Sequence, residues 1–480
     1  MESGRKVLKN IVAMFLSTGV ERITNFVLTL YIARALGADS LGQYSIVISL
    51  SLIFQTISYL GQQQIIVREV ARRPDKAGAF LVNGSLIAAG GGLLGLLLMF
   101  TATNLLAYEP EILILAYVAS ISLVPGGLAI VGEAVIQGLE QMHFVTVARS
   151  ISGVIKLSLS IPLLYMGANL AIVFLILAVA NLALYVVYLL VIRRLVGQFG
   201  RYLDRTLVRY LLGLAGPFVI ISIFGVVFKQ VDILMLGKMK DPEAVGIYAA
   251  PFRLIQIGMQ FLVPLMLALF PMMSEVFVNS PAQLKSITQR LLKLLMAFAI
   301  PLAVVGTAFS EEIILLFYGP GYAASVYVLQ ILVWVLVLYF VNGVLFRTML
   351  ASDNELVTMR VAGINMVASV LLNLLLIPRW GALGVAAASF CTTFIALAQN
   401  YAYIARHLFK LDWLRAIGKP ALAALLLGVC LLAMRDAPVW LSLTVGLVVY
   451  LVLIVVLRVF SPEEWSFVRR TWNDVIGRFT

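Results

Sequence analysis

The sequence predicts an all-α membrane protein whose helices cross the bilayer many times. Hydrophobic residues make up 62% of the 480 residues, charged residues make up only 12%, and the mean hydropathy is +1.02. A soluble domain carries roughly 25% charged residues, so this chain has too little charge to cover a water-facing surface. Apolar runs long enough for a membrane helix, which needs roughly 20 residues, also recur along the whole chain.

The same composition excludes several other classes of protein. Low charge and abundant apolar residues exclude intrinsic disorder. Cys391 and Cys430 both lie in apolar runs, which excludes a disulfide-stapled secreted fold. His143 and His407 are far apart in sequence and predict no zinc cluster. We therefore expect neither a metal nor a cofactor.

Hydropathy windows predict fourteen transmembrane helices with short connections. In chain order the predicted spans are 9–33, 41–62, 79–104, 111–136, 145–166, 169–192, 207–236, 245–273, 288–309, 324–350, 356–377, 381–405, 419–434 and 438–458. No Ala-x-Ala-like cleavage site follows the first apolar run, so we interpret it as a retained helix and not as a signal peptide.

The distribution of basic residues predicts the orientation. If the spans alternate across the membrane, 26 of the 35 Lys and Arg residues fall on the side of the N-terminus. The opposite side has five, namely Arg34, Lys238, Lys240, Arg379 and Arg435. Because short cytoplasmic loops are enriched in Lys and Arg, we expect a multi-pass protein of the cell membrane with both termini in the cytoplasm. This bias explains the net charge of +12 without a nucleic-acid partner.

An internal repeat predicts two similar halves. Leu36-Gly37 followed by Gly42-Gln43-Tyr44 recurs as Leu236-Gly237 followed by Gly246-Ile247-Tyr248. With six helices in each copy, the halves are expected to be parallel repeats, a layout that permits alternating access in transporters. Repeats also occur in proteins that transport nothing, so that alternative stays open. The predicted parts are a six-helix bundle at 1–192, a cytoplasmic linker at 193–206, a second six-helix bundle at 207–405, and helices 13 and 14 with the tail at 406–480.

Four basic residues lie well inside predicted spans and are candidates for substrate binding. They are Arg22, Lys156, Lys229 and Arg253. Each costs about 2.5 to 3.5 kcal/mol at mid-membrane on insertion scales, so they are expected to face a cavity or a partner and not lipid. A cationic cleft suits an anionic ligand such as a diphosphate, because Arg gives planar two-point contacts and Lys a point charge.

Acidic residues at comparable depth are candidates for binding a coupling ion. They are Glu21, Asp232 and, nearer the cytoplasm, Glu133. The alternative is that each of them only balances an arginine. Lys229 and Asp232 are three residues apart on one helical face and can pair locally.

Uncharged polar stripes add candidates for lining the cleft. Gln256 and Gln260 share a helical face with Arg253, and Asn365, Ser369 and Asn373 repeat every four residues. For the asparagine stripe, interhelical hydrogen bonding is the favoured interpretation over substrate contact.

Four motifs in the right order resemble a known family. The run Ala33 to Tyr44, ARALGADSLGQY, is similar to the conserved opening of the polysaccharide transporter family in the multidrug/oligosaccharidyl-lipid/polysaccharide exporter superfamily. The segment 231–248 resembles the family's motif between helices 7 and 8. Gln137 to Glu140 and Gly381 to Ala386 are similar to its motifs after helix 4 and at helix 12.

The resemblance implies a flippase and not an enzyme. Its substrate would be a polyprenyl-diphosphate-linked oligosaccharide, moved from the cytoplasmic to the outer leaflet for surface polysaccharide assembly. The implied partners are this lipid-linked substrate, membrane lipids and the polysaccharide polymerase machinery.

Two alternatives within the superfamily and one enzymatic alternative stay open. Arg253 lies where lipid II flippases carry a functionally important arginine, but their first helix usually holds two spaced arginines and this chain has only Arg22 beside Glu21. A cation-coupled multidrug antiporter would need embedded carboxylates in a cavity poor in basic groups. A membrane glycosyltransferase, polymerase or ligase is disfavoured because the longest predicted outer connections are about ten to fourteen residues, too short for the catalytic loop that such enzymes carry.

Overall fold

The computed structural model describes residues 2–197, 203–279, 281–352 and 354–460. Within these ranges, side chains are described except at 2–18, 217–218, 220–221, 261–272, 278–279, 281–282 and 355. Every regular element in the described ranges is helical, which confirms the all-α fold.

The helices are numbered in chain order. They are α1 Glu2–Ser58, α2 Gln62–Arg72, α3 Ala77–Leu105, α4 Pro110–Ser120, α5 Leu123–Gly138, α6 Met142–Tyr165, α7 Ala171–Val196, α8 Arg205–Met239, α9 Pro242–Asn279, α10 Pro281–Ala308, α11 Ser310–Phe317, α12 Ser325–Leu350, α13 Glu355–Trp380, α14 Ala382–His407, α15 Lys419–Ala433 and α16 Val439–Val456. Short 3-10 turns cover Pro74–Lys76 and Pro320–Tyr322, and a π-turn covers Leu414–Gly418.

Eleven helical stretches in the described part of the chain are long and apolar enough to cross a membrane. The protein is therefore a multi-pass membrane protein. The total of fourteen spans, the two six-helix bundles and the cytoplasmic termini stay predictions.

Three predicted spans have a different outline in the structure. Span 9–33 and residues 41–58 of span 41–62 lie in the single element α1, which bends at Gly37, where φ is +85°. Glycine adopts this left-handed region without the steric cost that a Cβ atom brings. The predicted span 111–136 is divided into α4 and α5 around Ser122, and Pro125 in the first turn of α5 has no N–H to continue the α4 ladder.

The chain forms two compact units, and in each unit a different set of helices packs together. In Met1–Gly246, α1 packs on α6 and α8, and α5 packs on α3 and α7. In Ile247–Thr480, α12 packs on α10 and α14, α13 packs on α14, and α10 packs on α15. These are called the first and second units below. The boundary between them falls inside α9, whereas the domain limits expected from the repeat stay predictions.

The two copies of the repeat motif meet in a reciprocal contact within the first unit. A Cβ atom added to Gly42 would overlap the carbonyl oxygen of Pro242, and one added to Gly246 would overlap the carbonyl oxygen of Ala38. Ala38 precedes Gly42 by four residues, as Pro242 precedes Gly246. Each glycine therefore lets backbone approach backbone at the corresponding position of the other copy.

Candidate functional site

A half-buried arginine holds two carboxylates together inside the first unit. Arg149 on α6 donates from Nη2 to both oxygens of Glu133 on α5, at 2.8 and 3.0 Å, and from Nε to Oε2 at 3.2 Å. Its Nη1 donates to Glu21 Oε2 on α1 at 2.5 Å. One guanidinium thus connects three helices through charge-assisted hydrogen bonds, the strongest kind in proteins.

The two carboxylates differ in how accessible they are. The Glu133 side chain is 8% exposed, whereas that of Glu21 is 41% exposed. Glu133 also accepts hydrogen bonds from Gln137 Nε2 at 2.8 Å and from the Tyr188 hydroxyl at 3.3 Å. Glu133 is therefore fully engaged by protein groups, while Glu21 lies where a ligand can reach it.

A glycine on α6 sets the helix spacing that makes the bond between Arg149 and Glu21 possible. A Cβ atom on Gly153 would lie 2.7 Å from Thr24 Oγ1, so α6 and α1 approach closely one turn from Arg149 and Glu21. Small residues permit such close approach between membrane helices. The sequence therefore places the charged groups next to a tight helix crossing.

Two further predicted cations lie near this arginine. Lys156 on α6 lies within electrostatic range of Glu21 and Arg149. Arg22 on α1 is exposed and lies in the same range of these two residues. We call Glu21, Arg22, Glu133, Arg149 and Lys156 the charge cluster. It has three positive and two negative formal charges, which leaves one positive charge in excess.

The structure does not add the predicted Lys229 and Asp232 to the charge cluster. Lys229 is exposed and Asp232 is half-buried, both on α8. Between them, Gln230 Oε1 accepts a hydrogen bond from Ser49 on α1 at 2.9 Å. Substrate binding by Lys229 and ion binding by Asp232 stay predictions.

In the second unit, the predicted face of Arg253 is present on α9. Arg253 Nη1 donates to Gln256 Oε1 at 3.2 Å. Tyr318 lies within electrostatic range of Arg253, and its hydroxyl donates to the Ala250 carbonyl at 2.7 Å. Gln260 Oε1 is buried without a hydrogen-bond partner among the described atoms. This face therefore has a half-buried cation and, about two helical turns further along α9, an amide oxygen that can still accept a bond.

The asparagine stripe on α13 is buried. Asn365 is 4% exposed and Asn373 is 0% exposed. Asn365 Nδ2 donates to the Val361 carbonyl of its own helix at 2.7 Å, and Asn373 Nδ2 donates to Ser369 Oγ at 3.4 Å. Both of these bonds lie within α13, and substrate contact by the stripe stays a prediction.

Sequence reasoning missed the residue that joins the charge cluster. Arg149 lies close to a predicted loop and was counted among the cytoplasmic basic residues, yet its side chain is only 24% exposed. A signal was present in the sequence, because Glu133 and Arg149 each lie eight residues from Gln141 in the connection between the two helices. Antiparallel helices joined by a short loop place such positions at similar depth.

Comparison with known proteins now identifies the family. The family model described as polysaccharide biosynthesis protein matches residues 7–277, which is more than half of the chain. The chain belongs to this family. The expected family resemblance is thereby confirmed. A second family model, MatE, matches residues 217–375.

One curated relative of this chain is a probable low-salt glycan biosynthesis flippase, Agl15, of Haloferax volcanii. It is 27% identical over 172 residues, which cover 36% of this chain and 36% of the relative. The match therefore spans about a third of that relative's length.

Two solved structures share the fold. The lipid II flippase MurJ in an inward closed conformation is 16% identical, with 93% of this chain and 99% of that chain covered and a TM-score of 0.74. An inward-facing multidrug resistance MATE family transporter of the MOP superfamily is 15% identical, with 83% and 98% covered and a TM-score of 0.65. At these identities the likeness shows the fold alone.

Proposed function

We propose that this protein is a flippase that moves a polyprenyl-diphosphate-linked oligosaccharide from the cytoplasmic to the outer leaflet. The observation that carries the proposal is the charge cluster, where cations exceed carboxylates among helices long and apolar enough to span a membrane. Charged groups at such positions are costly and are usually functional. Membership of a polysaccharide biosynthesis family supports the glycan part of the substrate.

The first step is an exchange of anions on Arg149. Glu21, the more exposed carboxylate, occupies Arg149 Nη1 in the absence of substrate. A diphosphate oxygen takes the place of the Glu21 carboxylate, while Glu133 keeps the other edge of the guanidinium in position. Arg22 and Lys156 then add cationic contacts to the second phosphate. Arginine suits this role because its planar fork binds phosphate oxygens in pairs.

The second step carries the bound head group across the membrane. A diphosphate with sugars is not soluble in hydrocarbon, so the cluster replaces part of the water that the head group loses. Alternating access exposes the bound head group first to the cytoplasmic side and then to the outer side, while the polyprenyl chain stays in lipid. Arg253 in the second unit is proposed as a further cationic contact. The product would then be available to polysaccharide polymerase machinery.

The cluster disfavours a cation-coupled drug antiporter. Such a transporter needs a carboxylate that can load a cation, whereas Glu133 accepts bonds from Arg149, Gln137 and Tyr188. A cation that binds Glu133 would have to displace the Arg149 guanidinium from it. An anionic substrate has only to displace the exposed Glu21.

Flipping by reconstituted protein tests the proposal. We expect wild-type protein in proteoliposomes to flip a fluorescent polyprenyl-diphosphate oligosaccharide. Arg22→Ala and Arg253→Ala should each abolish flipping while the protein still inserts. Arg194→Ala removes an exposed arginine outside the cluster and is the matched control. Wild-type flipping by an Arg22→Ala/Arg253→Ala double variant would exclude the cationic mechanism.

A second variant isolates the anion exchange on Arg149. Glu21→Gln removes the carboxylate that competes for Arg149. We expect this variant to bind a water-soluble short-chain prenyl diphosphate about tenfold more tightly than wild type, a change of about 1.4 kcal/mol in binding free energy. Titration calorimetry of the purified protein measures this change. Unchanged binding would show that Glu21 does not occupy the diphosphate position.

A further inference from the structure

A separate basic pocket lies in the second unit, between the beginning of α10 and the π-turn that leads into α15. Its cavity volume is about 640 Å³. Four basic side chains line it, Arg290 and Lys293 from α10 and Arg415 and Lys419 from the π-turn and α15. Ser286 and Gln289 on α10 add polar groups. We call this site the basic pocket.

The lining residues of the basic pocket that the structure describes carry charges of one sign. Ten residues line it, and none of these ten is acidic. Asp412, which is not among the lining residues, accepts from Arg415 Nε through Oδ2 at 3.0 Å. Lys419 Nζ donates to the Arg458 carbonyl at 3.0 Å. Arg415 and Lys419 are thus oriented by neighbouring groups outside the cavity, and the ten lining residues that the structure describes are either basic or neutral.

The local backbone shapes the pocket. The segment Leu414–Gly418 forms a single π-turn, a feature that is frequent at functional sites. Asp412 Oδ1 accepts from the Arg415 backbone N–H at 3.2 Å and so fixes the beginning of this turn. Pro420 follows in the first turn of α15.

Apolar side chains border the cations. Leu414 is 80% exposed and Leu422 is 47% exposed, and both line the basic pocket. In a membrane protein such leucines face acyl chains. The pocket therefore presents cations, which suit the phosphate of a lipid, beside exposed apolar groups, which suit its acyl chains.

The position along the helices also matches a lipid. Both segments belong to ends that the Lys and Arg distribution predicts to be cytoplasmic, and anionic lipids are concentrated in the cytoplasmic leaflet. Basic pockets between membrane helices on that side are typical binding places for anionic head groups.

We propose that the basic pocket binds the phosphate of an anionic glycerophospholipid in the cytoplasmic leaflet. Lys293 and Lys419 contribute point charges, and Arg290 and Arg415 contribute guanidinium contacts to the phosphate oxygens. The acyl chains lie along Leu414 and Leu422. This lipid is a resident ligand of the second unit, and its site consists of residues other than those of the charge cluster.

Lipid titration of the purified full-length protein, followed by native mass spectrometry, tests the proposal. The probes are phosphatidylglycerol and phosphatidylcholine. The double variant Lys293→Gln/Lys419→Gln should bind phosphatidylglycerol about thirtyfold more weakly than wild type, since each basic residue near an anionic lipid contributes about 1 kcal/mol. Lys293→Arg/Lys419→Arg keeps both charges and should bind it as wild type does.

The control removes two charges from the same predicted side of the membrane. Arg406→Gln/Lys410→Gln changes two exposed basic residues that do not line the basic pocket and should leave phosphatidylglycerol binding unchanged. Equal losses in the control and the pocket variant would overturn the proposal, because the effect would then reflect net charge alone. Equal affinity for phosphatidylcholine would also overturn it.

A competition arm distinguishes the sources of phosphate. Inorganic phosphate at millimolar concentration should leave bound phosphatidylglycerol in place, because it lacks the acyl chains that lie on the leucines. Complete displacement would assign the pocket to a soluble phosphate and overturn the lipid proposal. Leu414→Ser should weaken phosphatidylglycerol binding without affecting any weak binding of inorganic phosphate.

Discussion

Each unit contains a polar connection between helices, and the two connections differ in chemistry. In the first unit, Arg149 forms charged bonds with Glu133 and Glu21. In the second, Asn400 Nδ2 donates to Asn342 Oδ1 at 3.0 Å, and Asn342 Nδ2 donates to the Thr393 carbonyl at 2.9 Å. Neutral amides are sufficient to join helices. The additional cost of burying charge in the first unit indicates a purpose other than packing, which is why we place the diphosphate there.

The largest effect is expected from breaking the ion network. Arg149→Ala leaves Glu133 buried without its counterion, and removing one partner of a buried pair costs about 3 to 5 kcal/mol. Thermal unfolding in detergent should show a large loss of stability. Arg194→Ala, an exposed arginine on α7, should show none.

A double variant separates the charge from the packing. Glu133→Gln/Arg149→Gln removes both charges and should recover most of the stability that Arg149→Ala loses. If Arg149→Ala unfolds at the same temperature as wild type, the ion network contributes nothing to the stability of the first unit. The contrast between the polar connections of the two units would then be wrong.

An intermediate effect is expected from the helix crossing beside the network. Gly153→Ala places a methyl group against Thr24 and forces α1 and α6 apart. Overpacking of this kind costs about 1 to 3 kcal/mol, and the Glu21–Arg149 bond should weaken with it. Gly90→Ala on α3 is the matched control, because a Cβ atom there meets nothing within 4 Å. Equal melting temperatures for the two variants would show that the crossing tolerates a side chain.

The smallest effect is expected from the amide pair of the second unit. A double-mutant cycle with Asn342→Ala and Asn400→Ala should give a coupling energy of about 0.6 kcal/mol, the average for hydrogen bonds between membrane helices. Steric trapping in bicelles can measure it. A coupling as large as that of Arg149 with Glu133 would remove the distinction between the two units.

Hydropathy was sufficient to predict most helices. Predicted span 79–104 corresponds to α3 at Ala77–Leu105, and predicted span 324–350 corresponds to α12 at Ser325–Leu350. Hydropathy succeeds here because a transmembrane helix needs an apolar stretch as long as the hydrocarbon core of the bilayer is thick. Hydropathy also separated spans 9–33 and 41–62 at residues 34–40, where α1 bends at Gly37, but it could not show that helix continues on both sides of this one residue without a loop.

The candidate site was predictable only in part. Glu21, Arg22, Lys156 and Glu133 were identified because a charge inside an apolar run is conspicuous. Arg149 was not, because it lies near a helix end where a basic residue usually faces the cytoplasm. Its role depends on a partner sixteen residues away on another helix and on one 128 residues away. The spacing around Gln141 indicates the pairing with Glu133, whereas the pairing with Glu21 is a property of the tertiary fold.

The reciprocal contact of Gly42 and Gly246 has a consequence for dividing the chain. A fragment that ends at residue 192, after the first six predicted helices, would lack Pro242 and leave the backbone around Gly42 without the surface that covers it. The first unit accordingly continues to Gly246, well beyond the expected linker. For expression as separate polypeptides, the first half therefore has to include the repeat motif of the second.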